Sequence, residues 1–286
     1  MLATLQPGCD RIARSALLGV QFRDAVDGRR VDEGLQVEIQ DLWQPQRRLA
    51  LTASRSGIFA LHAFAGLRGL DSDAAVATTS PFTSPSVPGR FRLTASDALG
   101  RYLPVSLRPE LPSAGLWSPA SAWTSPSAMP PPAAAFVPLF SAATRMLPGA
   151  MAGLRAELRL ASQPAQAVPW ARLELWLDAK RIAEGQADAA GRALLLLPLP
   201  RPREATLGTS PAGQPAAFEW TVTLRAFWDP ANRADTVPDF DAVRAQPEVA
   251  LLQSALPPLG LPALLLRASE PLQAAQPPSS FVYVAD

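Results

Sequence analysis

The stretch Leu49-Ala50-Leu51-Thr52-Ala53-Ser54-Arg55-Ser56-Gly57-Ile58-Phe59-Ala60-Leu61 decides the fold class, because its pattern returns at Ile182-Ala183-Glu184-Gly185-Gln186-Ala187-Asp188-Ala189-Ala190-Gly191-Arg192-Ala193-Leu194-Leu195-Leu196-Leu197. In both copies an apolar alternation runs into a small polar turn that ends in Gly, and apolar residues resume at once. A strand points successive side chains to opposite faces, and Gly supplies the positive φ of a tight turn. Each copy therefore predicts a β-hairpin. Two such hairpins in one chain predict two related β-domains.

Outward from the first copy, Leu18, Val20 and Phe22 alternate, and Asp24-Ala25-Val26-Asp27-Gly28 turns the chain. Leu35, Val37 and Ile39 interleave with Gln36, Glu38 and Gln40, the pattern of a half-buried antiparallel strand. A polar stretch from Asp71 to Pro88 follows, and then Phe91, Leu93 and Ala95 resume the alternation. Asp97-Ala98-Leu99-Gly100 leads into Tyr102, Leu103, Val105 and Leu107. Between Pro109 and Ala135 the chain becomes rich in Pro, Ser and Ala, which favours an extended, semi-rigid path and predicts a linker. Its Trp117 and Trp123 either pack back on a domain or dock on a partner.

Beyond the linker, Phe136, Val137, Leu139 and Phe140 are expected to open a second domain. Leu173, Leu175 and Leu177 there alternate with Arg172, Glu174, Trp176 and Asp178. Trp220, Val222, Leu224 and Ala226 oppose Thr221, Thr223, Arg225 and Phe227, which predicts a strand covered on both sides. The fair helix candidate is Asp239 to Leu252, split or bounded by Pro247. Phe281, Val282, Tyr283 and Val284 form a last strand behind a Pro-containing spacer, and either close their own sheet or add to a neighbour's. Many short strands without a sustained helical period predict an all-β chain of two tandem β-sandwiches with at most one or two short helices. The expected boundaries are 1–108, a linker at 109–135, and 136–286 with an extended C-terminal tail.

With 286 residues the chain is long enough for two cores, and 48% of it is hydrophobic. Only 18% of residues are charged, so few charges repel a neighbour and assembly is favoured. Lys180 is the only Lys, and a basic content carried by Arg alongside abundant Ala and Pro is also the composition of a GC-rich genome. The net charge of +1 is spread without a basic stripe, so nucleic acid is not an expected partner. Cys9 is alone, which rules out an intrachain disulfide. An export signal needs an apolar stretch of about 7–15 residues, and Ala16 to Val20 is shorter and flanked by charge. The longest apolar runs, Ala193 to Leu199 and Leu261 to Leu266, fall far below the ~20 residues of a membrane helix, so no membrane span and a cytoplasmic location are expected.

Catalytic chemistry finds no motif. His62 is the only histidine, between Leu61 and Ala63, and reads as an outward-facing strand residue. A general base would also need an orienting acid and a nucleophile that nothing marks. Gly66-Leu67-Arg68-Gly69 lacks the Lys and the following helix of a phosphate loop. Asp229, Asp235, Asp239 and Asp241 are interrupted by Pro230 and Pro238 and lack a closing bidentate Glu, so a loop with a helix N-cap at Asp239 is expected instead of a calcium site. The chain is expected not to be an enzyme and to need no cofactor or metal. The candidate interaction residues are Trp117, Trp123, Phe281 and Tyr283.

The order of strand, Asp-Gly turn, Leu-x-Val-x-Ile strand, Ser-x-x-Gly turn and Phe64-Ala65-Gly66-Leu67 resembles the carboxypeptidase regulatory-like domain over residues 16–107. That resemblance implies a prealbumin- or immunoglobulin-like sandwich without catalytic residues, and the Asp71 to Pro88 insertion departs from its compact spacing. A longer stretch, Asp97 to Pro104, then Val137 to Arg145 and Pro148 to Ala152, resembles proteins that accompany bacterial phage-tail-like contractile injection systems. It implies a structural subunit of the particle, at its cap or baseplate, whose partners are sheath, tube or cap and baseplate proteins. The other function open to such a chain is a stand-alone module that binds carbohydrate or protein, with Trp117, Trp123, Trp176 and Trp228 on its surface.

Overall fold

The computed structural model describes residues 16–64, 89–113, 115–120, 135–147, 151–198, 219–233, 236–267, 272–275 and 279–285. Cys9, the Asp71 to Pro88 stretch and Trp123 lie outside them. Among the described residues strand accounts for 51% and helix for 4%, so the described part of the chain is all-β. No helix among the described residues is long and apolar enough to cross a membrane.

The N-terminal half contains β1 (Leu18–Asp24), β2 (Leu35–Asp41), β3 (Arg48–Leu51), β4 (Ile58–Leu61), β5 (Phe91–Asp97), β6 (Val105–Leu107) and β7 (Val137–Leu139). They form two sheets, ordered β4-β1-β7 and β3-β2-β5-β6, antiparallel except for the parallel β1–β7 pair. The period-two alternation sends Leu18, Val20 and Phe22 from one sheet and Val37, Ile39, Phe91 and Leu93 from the other into one apolar cluster. Phe22 meets Phe59 edge-on at 5.5 Å between centroids, a geometry worth about 0.5–1.5 kcal/mol beyond its buried area. Val137, Leu139 and Phe140, expected to open the second domain, belong to this cluster. Their pattern marks a strand, but it does not say which sheet receives it.

The C-terminal half contains β8 (Met151–Leu160), β9 (Arg172–Leu177), β10 (Lys180–Gln186), β11 (Arg192–Pro198), β12 (Glu219–Phe227), β13 (Glu248–Val249), β14 (Leu251–Ala255), β15 (Pro258–Gly260), β16 (Leu264–Arg267), β17 (Leu272–Gln273) and β18 (Val282–Val284). One sheet runs β10-β9-β12-β13 with β16 also on β12. The other runs β11-β8-β18-β14-β15 with β17 also on β8. Leu154, Leu158, Leu173, Leu175, Val222 and Leu224 fill the cluster they share. The expected helix over 239–252 is cut to α1 (Phe240–Arg244), capped by Asp239, whose side chain accepts from the Asp241 N–H. The chain beyond Pro247 goes into β13 and β14.

Neither copy of the repeated motif is a hairpin within one sheet, contrary to expectation. β3 pairs with β2 while β4 crosses to β1, and β10 pairs with β9 while β11 crosses to β8. Each turn keeps only a single bridge, Ala53 to Phe59 and Ala187 to Ala193. The Gly turn satisfies its own amides and leaves the flanking strands to partners elsewhere, so the motif is a corner between sheets.

The two halves share more than this corner. β1 to β4 pair as β8 to β11 do, β5 joins β2 as β12 joins β9, and the closing strands β7 and β18 run parallel to β1 and β8. Arg23 donates to Gln21 and lies over Phe136, while Arg159 donates to Glu157 and lies over Phe281. In both halves the chain is laid along the first strand in two pieces. Leu116 bridges Gly19 before Val137 meets Phe22, and Leu272 meets Leu154 before Val282 meets Leu158. The expected linker therefore carries residues of the N-terminal half, among them the buried Leu111.

Among the described residues the halves touch at several points, two of them apolar. Val26 packs with Leu194 and Leu196 beside Leu147 and Met151. Phe240 enters the N-terminal cluster, and Arg244 on the same helix pairs with Glu184 of β10.

Candidate interaction surface

The sequence-predicted residues serve the fold of this chain. Trp117 is half-buried against the N-terminal cluster, and its N–H donates to the Gly19 carbonyl at 2.8 Å. Phe281 is half-buried under the Arg159 guanidinium, 4.9 Å from the ring centroid. Tyr283 lies in β18 between Arg159 of β8 and Leu252 of β14, so this tail closes its own sheet. Trp123 falls outside the described residues. Trp228, expected on a recognition surface, is 1% exposed and donates its indole N–H to the Pro169 carbonyl. Trp176 is held by Glu174 Oε2 at 3.0 Å with Arg225 over its ring. His62 is exposed.

Comparison of the halves shows where the surface departs from what the shared topology requires. The first departure is the β14–β15 hairpin, which continues the β8 sheet beyond its closing strand, whereas the β1 sheet ends at β7. Its tip is apolar and open to solvent: Leu256 is 88% exposed and Leu259 56%. Edge strands invite pairing, and Pro258 shortens the run of amides that β15 offers. The helix candidate over 239–252 reached only the first residues of this hairpin, and Leu256 and Leu259 lie beyond it.

The second departure is the β2–β3 connection. Asp178 and Ala179 suffice to join β9 to β10, but Leu42 to Arg47 separate β2 from β3. This longer turn presents Trp43, which no periodic pattern marks. Asp41 anchors the turn from within: Oδ1 accepts the Trp43 N–H at 2.9 Å, and Oδ2 accepts Arg90 Nη2 at 2.7 Å. The hydrogen bond from Arg90 holds the Asp41 carboxyl below its ordinary range against the opposing effect of burial.

A further polar network lies on the outer face of β9 and β10. Arg172 and Glu174, which alternation places opposite Leu173 and Leu175, are buried, and so is Glu184. Gln246 accepts from the Arg172 N–H, and α1 brings Arg244 onto Glu184, so the helix segment covers this face. Arg181 bridges Glu174 and Glu184 at 3.2 and 2.7 Å. Burial raises the Glu184 pKa despite the surrounding guanidiniums and lowers that of Arg244.

The stretches behind the longer family resemblance meet each other in space. Leu103 N–H donates to the Phe140 carbonyl, and Tyr102 and Arg145 converge on Asp24 Oδ2 at 2.9 and 2.7 Å. A cleft of about 230 Å³ opens there, but its charges already pair: Arg29 with Asp27, Arg30 with Asp32 and Arg145 with Asp24. Among the described residues no three His, Cys, Asp or Glu side chains gather as metal ligands.

No family model and no curated protein matches the chain. Among solved structures, a Bacillus anthracis TIE protein is similar at 10% identity and a TM-score of 0.24, over 94% of this chain and 34% of that one. The chain thus spans well under two thirds of that protein's length, and a likeness at this TM-score carries no argument about either fold or function.

Proposed function

We propose that this chain is a non-catalytic scaffold of two tandem β-sandwiches that joins a larger protein assembly through the β14–β15 hairpin. The observation that carries the reading is the exposed apolar tip, Leu256 and Leu259, on a hairpin without a counterpart among the described residues of the other half. Fully burying a leucine contributes about 1.5–3 kcal/mol, so two at one tip make an anchor for a partner. The assembly proposed is a phage-tail-like contractile injection particle, with the chain at its cap or baseplate. That part rests on the resemblance of Asp97 to Pro104, Val137 to Arg145 and Pro148 to Ala152.

The test is purification of the particle followed by mass spectrometry, with and without L256S/L259S. The expected result is that the wild-type chain is present in the particle and the double variant, folded as judged by circular dichroism, is depleted. A particle that contains no copy of the chain overturns the particle assignment. Equal incorporation of both forms overturns the hairpin as the contact.

A further inference from the structure

Trp43 is 67% exposed, while Trp170, Trp220 and Trp228 are buried and Trp117 and Trp176 are half-buried. Its turn is also more firmly built than an idle loop needs. The Arg90 guanidinium lies 4.9 Å from the indole centroid and is itself fixed by Asp41, whose side chain is 0% exposed. Leu42 N–H donates to the Arg90 carbonyl at 2.8 Å, and Arg47 N–H donates to the Gln44 carbonyl at 2.8 Å. Pro45 accepts from Gln40 Nε2 at 2.9 Å and from Arg48 Nε at 3.2 Å. The matching connection between β9 and β10 is only two residues long, Asp178 and Ala179. A large flat ring held still in water is preorganised for a ligand, because its ordering cost is already met on folding.

We propose that the Trp43 turn is a carbohydrate-binding site, in which the indole face away from Arg90 stacks against the C–H face of a pyranose ring. Gln44 and Gln46 on the same turn supply amide groups that both donate to and accept from hydroxyls. The choice of a sugar over a protein follows from the surroundings. A tryptophan that anchors a protein partner sits within a patch that excludes water. Trp43 instead stands in a sequence of Gln40, Gln44, Gln46, Arg47 and Arg48. One aromatic platform with planar polar groups beside it suits a ligand that is apolar on one face and hydroxylated at its rim.

The test is calorimetric and tryptophan-fluorescence titration of the full chain with maltohexaose, cellohexaose, chitohexaose and a soluble peptidoglycan digest. At least one probe is expected to bind saturably. W43A is expected to weaken that binding by about tenfold or more with an unchanged melting temperature, and W43F to keep part of it. L256S/L259S is expected to bind the sugar as the wild type does, which separates this site from the assembly contact. Absence of binding to every probe, or binding that W43A leaves unchanged, overturns the proposal. Capture of a protein that depends on Trp43 without any glycan response overturns it in favour of a protein contact.

Discussion

The corner at Ser54 to Gly57 and the corner at Asp188 to Gly191 make the same local bonds, yet they sit against different neighbours. Gly57 N–H donates to the Ser54 carbonyl at 2.8 Å and Gly191 N–H to the Asp188 carbonyl at 3.0 Å. Both glycines have positive φ, +68° and +76°. A Cβ on Gly57 would meet the side chain of Arg30 at 2.3 Å, and one on Gly191 would meet the Leu158 carbonyl oxygen at 2.6 Å. A surface arginine can swing aside, whereas a carbonyl in the middle of a sheet cannot. Turn chemistry is thus a local property, and its tolerance to change is set by packing.

The same contrast separates the buried carboxylates of the two halves. Asp41 and Asp97 each organise one turn and one arginine, Arg90 and Arg101. Glu174 and Glu184 instead share a network with Arg172, Arg181 and Arg244, the last of which arrives on α1. The largest expected effect breaks that network. E184A removes the carboxylate facing Arg244 and is expected to cost about 3–5 kcal/mol in chemical denaturation, because a buried guanidinium is left without its counter-charge. E184M/R244M is expected to cost less than E184A alone, and a greater cost would show that the pair is worth more than its removal as a unit.

Next in size is the glycine comparison. G191A is expected to destabilise by about 2–4 kcal/mol, the sum of a left-handed backbone penalty and a clash that cannot relax. G57A is expected to cost only about 1–2 kcal/mol, since the Arg30 side chain, 43% exposed, can move. Equal losses in thermal melts would mean that the two corners are equally confined.

The smallest effects are in the pH dependence, and they run in opposite directions. Asp41 has a folded pKa below its ordinary 3.8, so its contribution is complete above that value and is lost as pH falls through the folded one. Glu184 has a folded pKa above its ordinary 4.5, so stability falls as pH rises from there through the folded value, where a buried charge must form. In melts between neutral pH and pH of about 3, D41N is expected to flatten the acid loss and E184Q to remove the gain on acidification. Parallel profiles for both variants would refute the contrast.

Much of the strand content was legible in the chain itself. Leu18-x-Val20-x-Phe22, Val37-x-Ile39 and Phe91-x-Leu93 all carry their alternation openly, and each set faces the core. Asp239 was legible as a helix cap, since a short acceptor side chain before Phe240 satisfies an amide the helix leaves open. The covering of the outer face of β9 was not: alternation sets Arg172 and Glu174 opposite Leu173 and Leu175, but it reports chemical character, not what later folds over that face. The surface candidates Trp43, Leu256 and Leu259 were missed for the related reason that exposure is defined by what fails to pack there.

By itself the sequence determined a strand-rich chain, the positions of many of its strands and a turn motif used twice, because alternation and Gly turns act over a few residues. Only the tertiary structure decided that both turns cross between sheets, that Val137 to Leu139 complete the N-terminal half, and that the segment after Pro109 lies partly along β1. Strand partners are chosen by contacts between residues far apart in the chain, and no local pattern encodes that choice.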